Sequence, residues 1–328
     1  MDLVLERLDE LYAIGATRVG YSPEEDAAHA LFARWLGDAG LEVETDRAGN
    51  TIGRRGDARL WLGSHLDTVP NGGRFDGALG VVAALEVASR SDVPVAVVAF
   101  RDEERTCAGS NACVEDGRLP AAFLELHVEQ GPVLERADAP VGIVTGIVGQ
   151  ARGEVVFEGR ADHAGTTPMD ARDDALVKAA EFVLDTQAAA ADGVVATIGQ
   201  LRVDPGAVNV VPARVTLSVD ARAPSSAQLE DLIAAIVFEP SYRTEPVAMT
   251  DPALAALREA APGAPELVSG AGHDAGILAS AGVRSAMLFV RSLNNGVSHS
   301  PDEESSPEDV ALAVDVLAGA LGRLASAK

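Results

Sequence analysis

The residues of this chain best suited to chemistry lie in short polar segments beside apolar runs. Gly63-Ser64-His65-Leu66-Asp67 closes the run at 60–63, and Gly72-Gly73-Arg74-Phe75-Asp76-Gly77 precedes a helical pattern. Phe100-Arg101-Asp102-Glu103-Glu104 closes the run at 95–100, and Leu124-Glu125-Leu126-His127-Val128-Glu129-Gln130 closes another. Gly296-Val297-Ser298-His299-Ser300-Pro301 lies near the C-terminus. Neutral imidazole ligates borderline divalent cations well, and Asp67, two residues beyond His65, is placed to orient that ring. A single Asp before a helix reads ordinarily as an N-cap. Adjacent glutamates at a strand end are costly to hold together without a compensating cation. One of them can ligate a metal while its neighbour takes a proton from water. Each segment alone has a plain structural explanation. Together, three histidines and three carboxylates make the inventory of a hydrolase with two metal ions.

Such segments need a scaffold that holds strand ends side by side. Ser22-Pro23-Glu24-Glu25 reads as a helix start, with Ser as N-cap, Pro at the first helical position and acids facing the dipole. That helix is expected to run to about residue 39, with Gly40 as its stop. A strand at 60–63, a helix at 78–88, a strand at 95–100, a short helix at 109–115 and a strand at 122–127 then alternate. This is the pattern of an α/β layered sheet, whose sites lie at the carboxyl ends of the strands. Near residue 139 the pattern changes to strands at 141–148, 154–158, 194–203 and 214–221, with helices at 171–190 and 226–237. It then reverts to a helix near 275–279, a strand at 285–290 and a terminal helix from about Pro307. The expected fold is therefore α/β, with a mixed sheet flanked by helices over 1–138 and 246–328, interrupted by an inserted α+β domain at 139–245.

Composition narrows the partners. The chain has 328 residues, of which 47 % are apolar and 23 % charged, with a formal net charge of −24. Nucleic-acid backbones and anionic membranes are poor partners for such a surface. No run approaches the ~18 apolar residues of a membrane span. Cys107 and Cys113 cannot build a disulfide framework in a chain this long. The acidic amphipathic N-terminus lacks the basic and apolar regions of a signal peptide. A cytoplasmic location is expected.

The segments GSHLDTVPNGGRFDGALG, DEE, ELHVEQGPVLE, DHAGTTPMDARDDAL, NVVP, DAR, SGAGHDA and SHSP occur in that order. Together they resemble the N-carbamoyl-L-amino-acid hydrolase and allantoate amidohydrolase branch of the dinuclear metallopeptidase and aminoacylase superfamily, over nearly the whole chain. The resemblance implies His65 and His127 on one divalent ion, Glu104 and His299 on a second, Asp76 bridging both, and Glu103 as general base. His127 stands where the peptidases and aminoacylases typically carry a carboxylate, which favours the carbamoylase side. The inserted domain would be a lid and dimerisation domain of a homodimer. Its His163 would stabilise an oxyanion in the other subunit's site, while Gln130, Asn209, Arg222 and Gly272 would touch the substrate. Arg222 can grip a carboxylate with its planar fork, and His273 reads as support for the glycine loop around it.

Zinc, manganese, cobalt and nickel all suit such donors. The implied reaction is hydrolysis of a C–N bond in an N-carbamoyl-L-amino acid or an allantoate-like ureido acid. An aminoacylase or dipeptidase on the same scaffold is the nearest alternative. A non-catalytic ligand-binding member is disfavoured, because a pure binder does not need Glu103 beside a ligand set. The sequence also departs from the family pattern. Arg105-Thr106-Cys107-Ala108 leads straight to Gly109-Ser110, where relatives carry a Gly and a longer stretch. The stretch from there to His127, and the lid's return at 238–242, are short as well; these cuts spare every proposed ligand and bear on the substrate pocket.

Overall fold

The structure is a computed structural model and describes residues 2–191 and 193–326. Its elements run α1 Asp2–Ile14, α2 Pro23–Asp38, β1 Glu42–Thr45, β2 Thr51–Arg55, β3 Leu60–His65, α3 Ala78–Ser89, β4 Val95–Phe100, α4 Glu103–Thr106, α5 Ala108–Glu115, β5 Ala122–Val128, α6 Val133–Arg136 and β6 Val141–Ile147. They continue with β7 Gly149–Glu158, α7 Ala175–Ala189, β8 Val195–Asp204, β9 Arg214–Ala223, α8 Ser226–Ile236, β10 Tyr242–Thr244 and β11 Val247–Ala248. The chain ends with α9 Ala253–Ala260, β12 Glu266–Ser269, α10 Asp274–Ser280, β13 Arg284–Val290 and α11 Pro307–Ser326. The chain divides into two compact units, 1–146 with 248–328, and 147–247.

The first unit is built on a mixed sheet of order β1-β2-β4-β3-β5-β13-β6-β11, with β12 beside β6. Its centre is parallel: β4 pairs β3, β3 pairs β5 and β5 pairs β13 in the same direction. Parallel strands covered on both faces need continuous apolar sequence, and VAVVAF of β4 and AFLELHV of β5 are buried at every position. Each fully buried Val, Leu or Phe contributes roughly 1.5–3 kcal/mol, so this stack is a rigid base for whatever its ends carry. Helix α3, buried from Ala78 to Ala88, packs on β3, β4 and β5. Helix α2 starts as its sequence predicts, with Ser22 Oγ accepting from Glu25 N at 3.2 Å and Pro23 in the first turn.

The second unit is an antiparallel sheet of order β10-β7-β9-β8, with α7 and α8 packed on it. Alternate residues of β9 are buried, the period-two signature of a strand with one covered face. Val219, Ala221 and Ala223 meet Leu229, Leu232 and Ile236 of α8 in its core.

Three expected elements are corrected. The sequence pattern puts a strand at 141–148 in the inserted unit; β6 instead lies in the large sheet, antiparallel to β13, with Val144 opposite Met287. Its sequence VGIVTGI has no alternation and is almost wholly buried, which suits a strand covered on both faces. The strand expected at 154–158 reaches back to Gly149. The helix expected from 171 starts at Ala175, because Asp174 caps it by accepting from Leu176 N at 2.9 Å, while 169–171 form one tighter turn. The short antiparallel β1–β2 hairpin adds to the expected elements. No helix among the described residues is long and apolar enough to cross a membrane.

Candidate metal centre

Four neighbouring parallel strands deliver the polar segments to one edge of the large sheet. His65 is the last residue of β3, Glu103 and Glu104 open α4 just after β4, and His127 is the penultimate residue of β5. The loop that follows β13 carries His299. Asp76 sits in the loop between β3 and α3, followed by Gly77 at φ +62°. A Cβ at Gly77 would lie 2.4 Å from the His65 ring, so only glycine lets this turn close over the imidazole.

Two groups of three donors share Asp76. His65, Asp76 and His127 form one, and Asp76, Glu104 and His299 the other, with the donor atoms of each group within 4.8 Å of one another. Asp76 Oδ1 lies 3.2 Å from His127 Nε2 and 3.7 Å from His65 Nε2, while Oδ2 lies 3.4 Å from His299 Nε2. Glu104 Oε2 is 3.5 Å from His299 Nε2. The two oxygens of one carboxylate thus face two separate sets.

The donors fit a cation. His65 Nδ1 and His127 Nδ1 lie 3.1 and 3.0 Å from the carbonyls of Asp67 and Val128. A carbonyl only accepts, so both rings carry their proton on Nδ1 and turn the Nε2 lone pair inward. The two Nε2 atoms face each other at 3.3 Å, a repulsive approach between neutral rings that a cation or a proton relieves. Without a cation the cluster draws in protons. Burial opposes charge on His65, but Glu103, Asp67 and Asp76 outweigh it and raise that ring well above its ordinary value. Burial likewise favours a neutral Asp76, yet His127, His65 and His299 hold it well below the usual carboxylate range. Glu104 Oε1 is buried without a hydrogen-bond partner among the described residues.

Two other carboxylates shape the turn that bears the glutamates. Asp67 accepts from Glu103 N and Glu104 N, each at 3.1 Å. Its carboxylate is 3.4 Å from His65 Nδ1, so it does more than orient that ring. Glu25, fully buried at the start of α2, accepts from Asp102 N at 3.2 Å. Three successive N–H groups are thereby met, which holds Asp102 in the left-handed region at φ +53°. Arg18 braces the same layer from behind, donating from Nε to Leu66 O at 2.9 Å. Glu103 then projects inward, with Oε2 3.7 Å from His65 Nε2 and Oε1 3.8 Å from His273 Nδ1. Burial pushes its carboxyl well up; His65 opposes this, and Asp274 and Glu104 add to it.

Buried polar groups also pack beside these donors, and His273, expected only to support the glycine loop, is one of them. His273 is buried, tilts against His127 at a ring distance of 4.6 Å and bonds Ser269 Oγ at 2.9 Å. Glu125, His127 and His273 form a third close group. It does not add a site beside the other two, because the one inward lone pair of His127 already faces Asp76. Glu125 is also engaged, accepting from Ser64 Oγ at 2.7 Å and Ala275 N at 3.0 Å. Only the burial of these groups marks them, and burial is invisible in a run such as Leu124-Glu125-Leu126.

The expected substrate contacts fall in both units. Gln130 places Nε2 3.0 Å from Asp76 Oδ2 and 3.3 Å from His299 Nε2, so its amide lies directly against the second group. Gly272 is exposed in the turn before His273. In the second unit, His163 bridges Val210, and Ala164 N donates to Asn209 O at 3.0 Å, which sets His163 beside Asn209. His163 Nδ1 accepts from Gly165 N and Thr166 N at 3.0 and 3.2 Å. Its own proton is therefore on Nε2, available to donate. Arg222, on β9, pairs with Asp220 at 2.8 Å.

A family model described as Peptidase family M20/M25/M40 matches residues 61–323. The chain is 37 % identical over 386 aligned positions to an N-carbamoyl-L-amino acid amidohydrolase of Geobacillus stearothermophilus, covering 95 % of this chain and 94 % of that protein. It is 33 % identical over 387 positions to an allantoate amidohydrolase of Bacillus subtilis (strain 168), covering 95 % and 93 %. Among solved structures, a hydantoinase/carbamoylase family amidase from Burkholderia multivorans matches with a TM-score of 0.87 at 31 % identity, covering 98 % of this chain and 96 % of that one. Both sequence alignments are longer than the 328 residues of this chain, so those relatives carry segments that it lacks.

The second donor group carries a pH signature. Glu104 is pushed up to about 7 by burial and then by Asp76, against the pull of His65 and His299. A cation there displaces a proton below that pH and none from Glu104 well above it. Its affinity is therefore expected to fall at least about tenfold for each pH unit below about 6.5, with proton release seen calorimetrically in buffers of different ionisation heat. Affinity that stays constant down to about pH 5.5 would contradict this coupling.

Proposed function

The chain belongs to peptidase family M20/M25/M40, and from that premise we propose that it is a dinuclear-metal amidohydrolase of N-carbamoyl-L-amino acids or related ureido acids. The observation that carries the reading is Asp76, whose two oxygens face two separate donor groups. Two divalent cations bound there would polarise the scissile carbonyl and make water acidic enough to yield its proton near neutral pH. Glu103 is the base: its carboxylate reaches over the same edge and takes that proton, then returns it to the departing nitrogen. His163, with its proton on Nε2, is the donor to the developing oxyanion. Arg222, which pairs with Asp220 in this structure, is the partner of the substrate carboxylate. Gln130, Asn209 and Gly272 complete the substrate set. For a carbamoyl substrate and water, the products are ammonia, carbon dioxide and the free amino acid. The names of the relatives support the ureido class over simple acyl groups. The free cysteines and acidic composition suit the cytoplasm.

The second unit supports a homodimer. Strand β8 ends its sheet order, and α7 packs on it. Val195 and Leu201 of β8, with Val177 and Leu184 of α7, are exposed large apolar side chains. An uncovered strand edge beside apolar side chains is a surface for pairing, and a two-fold pairing would cover both copies at once.

Two experiments test this reading. Release of the free amino acid is measured from carbamoyl, acetyl and dipeptide forms of one amino acid, and release of ammonia from the carbamoyl form and from allantoate, after chelation and reloading with manganese or zinc. Carbamoyl or ureido acids are expected to be cleaved only in loaded protein, and Glu103→Gln to lose at least ~10²-fold in turnover while retaining cations. Full activity in metal-free protein, or cleavage of the dipeptide alone, would overturn the assignment. Co-expression of Glu103→Gln with His163→Ala then tests sharing of sites between subunits. Random pairing makes half of the dimers mixed, and each mixed dimer holds one intact site if His163 acts across the two-fold. Recovery to about a quarter of wild-type activity is expected; no recovery would place His163 in its own subunit's site.

A further inference from the structure

The five donors of the two groups are not held alike. His65 and His127 lie on core strands, and Glu104 is fixed by the backbone bonds of its turn to Asp67. Asp76 and His299 lie in loops. His299 has a left-handed backbone at φ +54° and a side chain that is 50 % exposed. Both loops converge on one buried carboxylate. Glu303 Oε2 accepts from Phe75 N at 2.7 Å and Asp76 N at 3.0 Å, and Oε1 accepts from Ser298 Oγ at 2.9 Å. The turn before Asp76 is wrapped so closely on this side chain that a Cβ at Gly73 would lie 2.2 Å from Glu303 Oε2. Glu303 thus joins the backbone of the shared ligand to the residue next to His299, across more than 220 positions of sequence.

We propose that Glu303 is a positioning residue that sets Asp76 against His299 and thereby governs the cation held by Asp76, Glu104 and His299. The inference rests on the reading that two cations bind at Asp76. That group loses the placement of two of its three ligands when Glu303 is removed, whereas the group of His65 and His127 loses one and keeps two on strands. Glu303 touches neither substrate nor reacting atoms. Its effect therefore shows in cation binding and not first in chemistry.

The experiment is calorimetric titration of the metal-free protein with Mn²⁺, for wild type, Glu303→Ala, Glu303→Gln and Ser298→Ala, each checked for folding by its thermal transition. Wild type is expected to take up two ions, the more weakly held one at Asp76, Glu104 and His299, because His299 sits in a loop with a half-exposed side chain while His65 and His127 lie on core strands. In Glu303→Ala the weaker affinity falls about 10–100-fold, the usual effect of removing a group that orients ligands, and the tighter one falls several-fold less. Glu303→Gln keeps an acceptor for the two N–H groups and largely restores the weaker affinity. Ser298→Ala, which cuts only the link to the His299 loop, weakens that affinity alone and decides the matter if Glu303→Ala does not fold. Two ions bound by the variants with wild-type affinities, or with equal losses at both sites, would overturn the role of Glu303. Fewer than two ions in wild type would overturn the two-cation reading itself, and this inference with it.

Discussion

A buried negative charge between facing imidazoles is the constraint on which the rest of the structure depends. Asp76 is 2 % exposed, and three histidines aim ring nitrogens at its two oxygens. Neither group of neutral donors is comfortable alone. The His65 and His127 lone pairs oppose each other, and the carboxylates of Glu103 and Glu104 add like charge nearby. Burying uncompensated charge of this kind costs several kcal/mol per ion. Protons offset part of that cost in the cation-free protein, and divalent cations would offset it better, because they would attract every donor at once.

The scaffold follows from that requirement. Four parallel strands place His65, the paired glutamates, His127 and the His299 loop along one edge, where open α/β sheets leave room for ligands. The apolar stack beneath keeps the strand ends from spreading. Backbone groups complete the work: carbonyls of Asp67 and Val128 select the ring tautomers, and N–H groups at 102–104 are met by Glu25 and Asp67. The same turn that exposes Glu103 to the site thus fixes Glu104 within it, so the two carboxylates cannot drift independently.

Much of this was legible in the sequence, for a local reason. A parallel strand reads as an apolar run, and its functional residues follow within a few positions, so His65, Glu103, Glu104 and His127 announce themselves beside 60–63, 95–100 and 122–127. Strand β6 reads as part of the inserted unit but belongs to the large sheet, because an apolar run declares burial and not which sheet supplies it. The residues that went unread act at long range. Glu303 is one of several acids in Asp302-Glu303-Glu304, and its partners lie more than 220 positions away. Glu25 reads as an acid at a helix start, yet it also accepts from Asp102 N. Arg18 is a polar residue whose burial no local pattern records, and His273, which reads as support for the glycine loop, also packs against His127.

The most direct measurement is anomalous diffraction from crystals of the protein loaded with manganese. Two peaks are expected, about 3.5–4 Å apart as in other two-metal sites, with Asp76 between them. One should be ligated by His65 and His127, the other by Glu104 and His299. A single peak, or density held by Glu125, His127 and His273 in place of Asp76, would contradict the shared carboxylate at the centre of this structure.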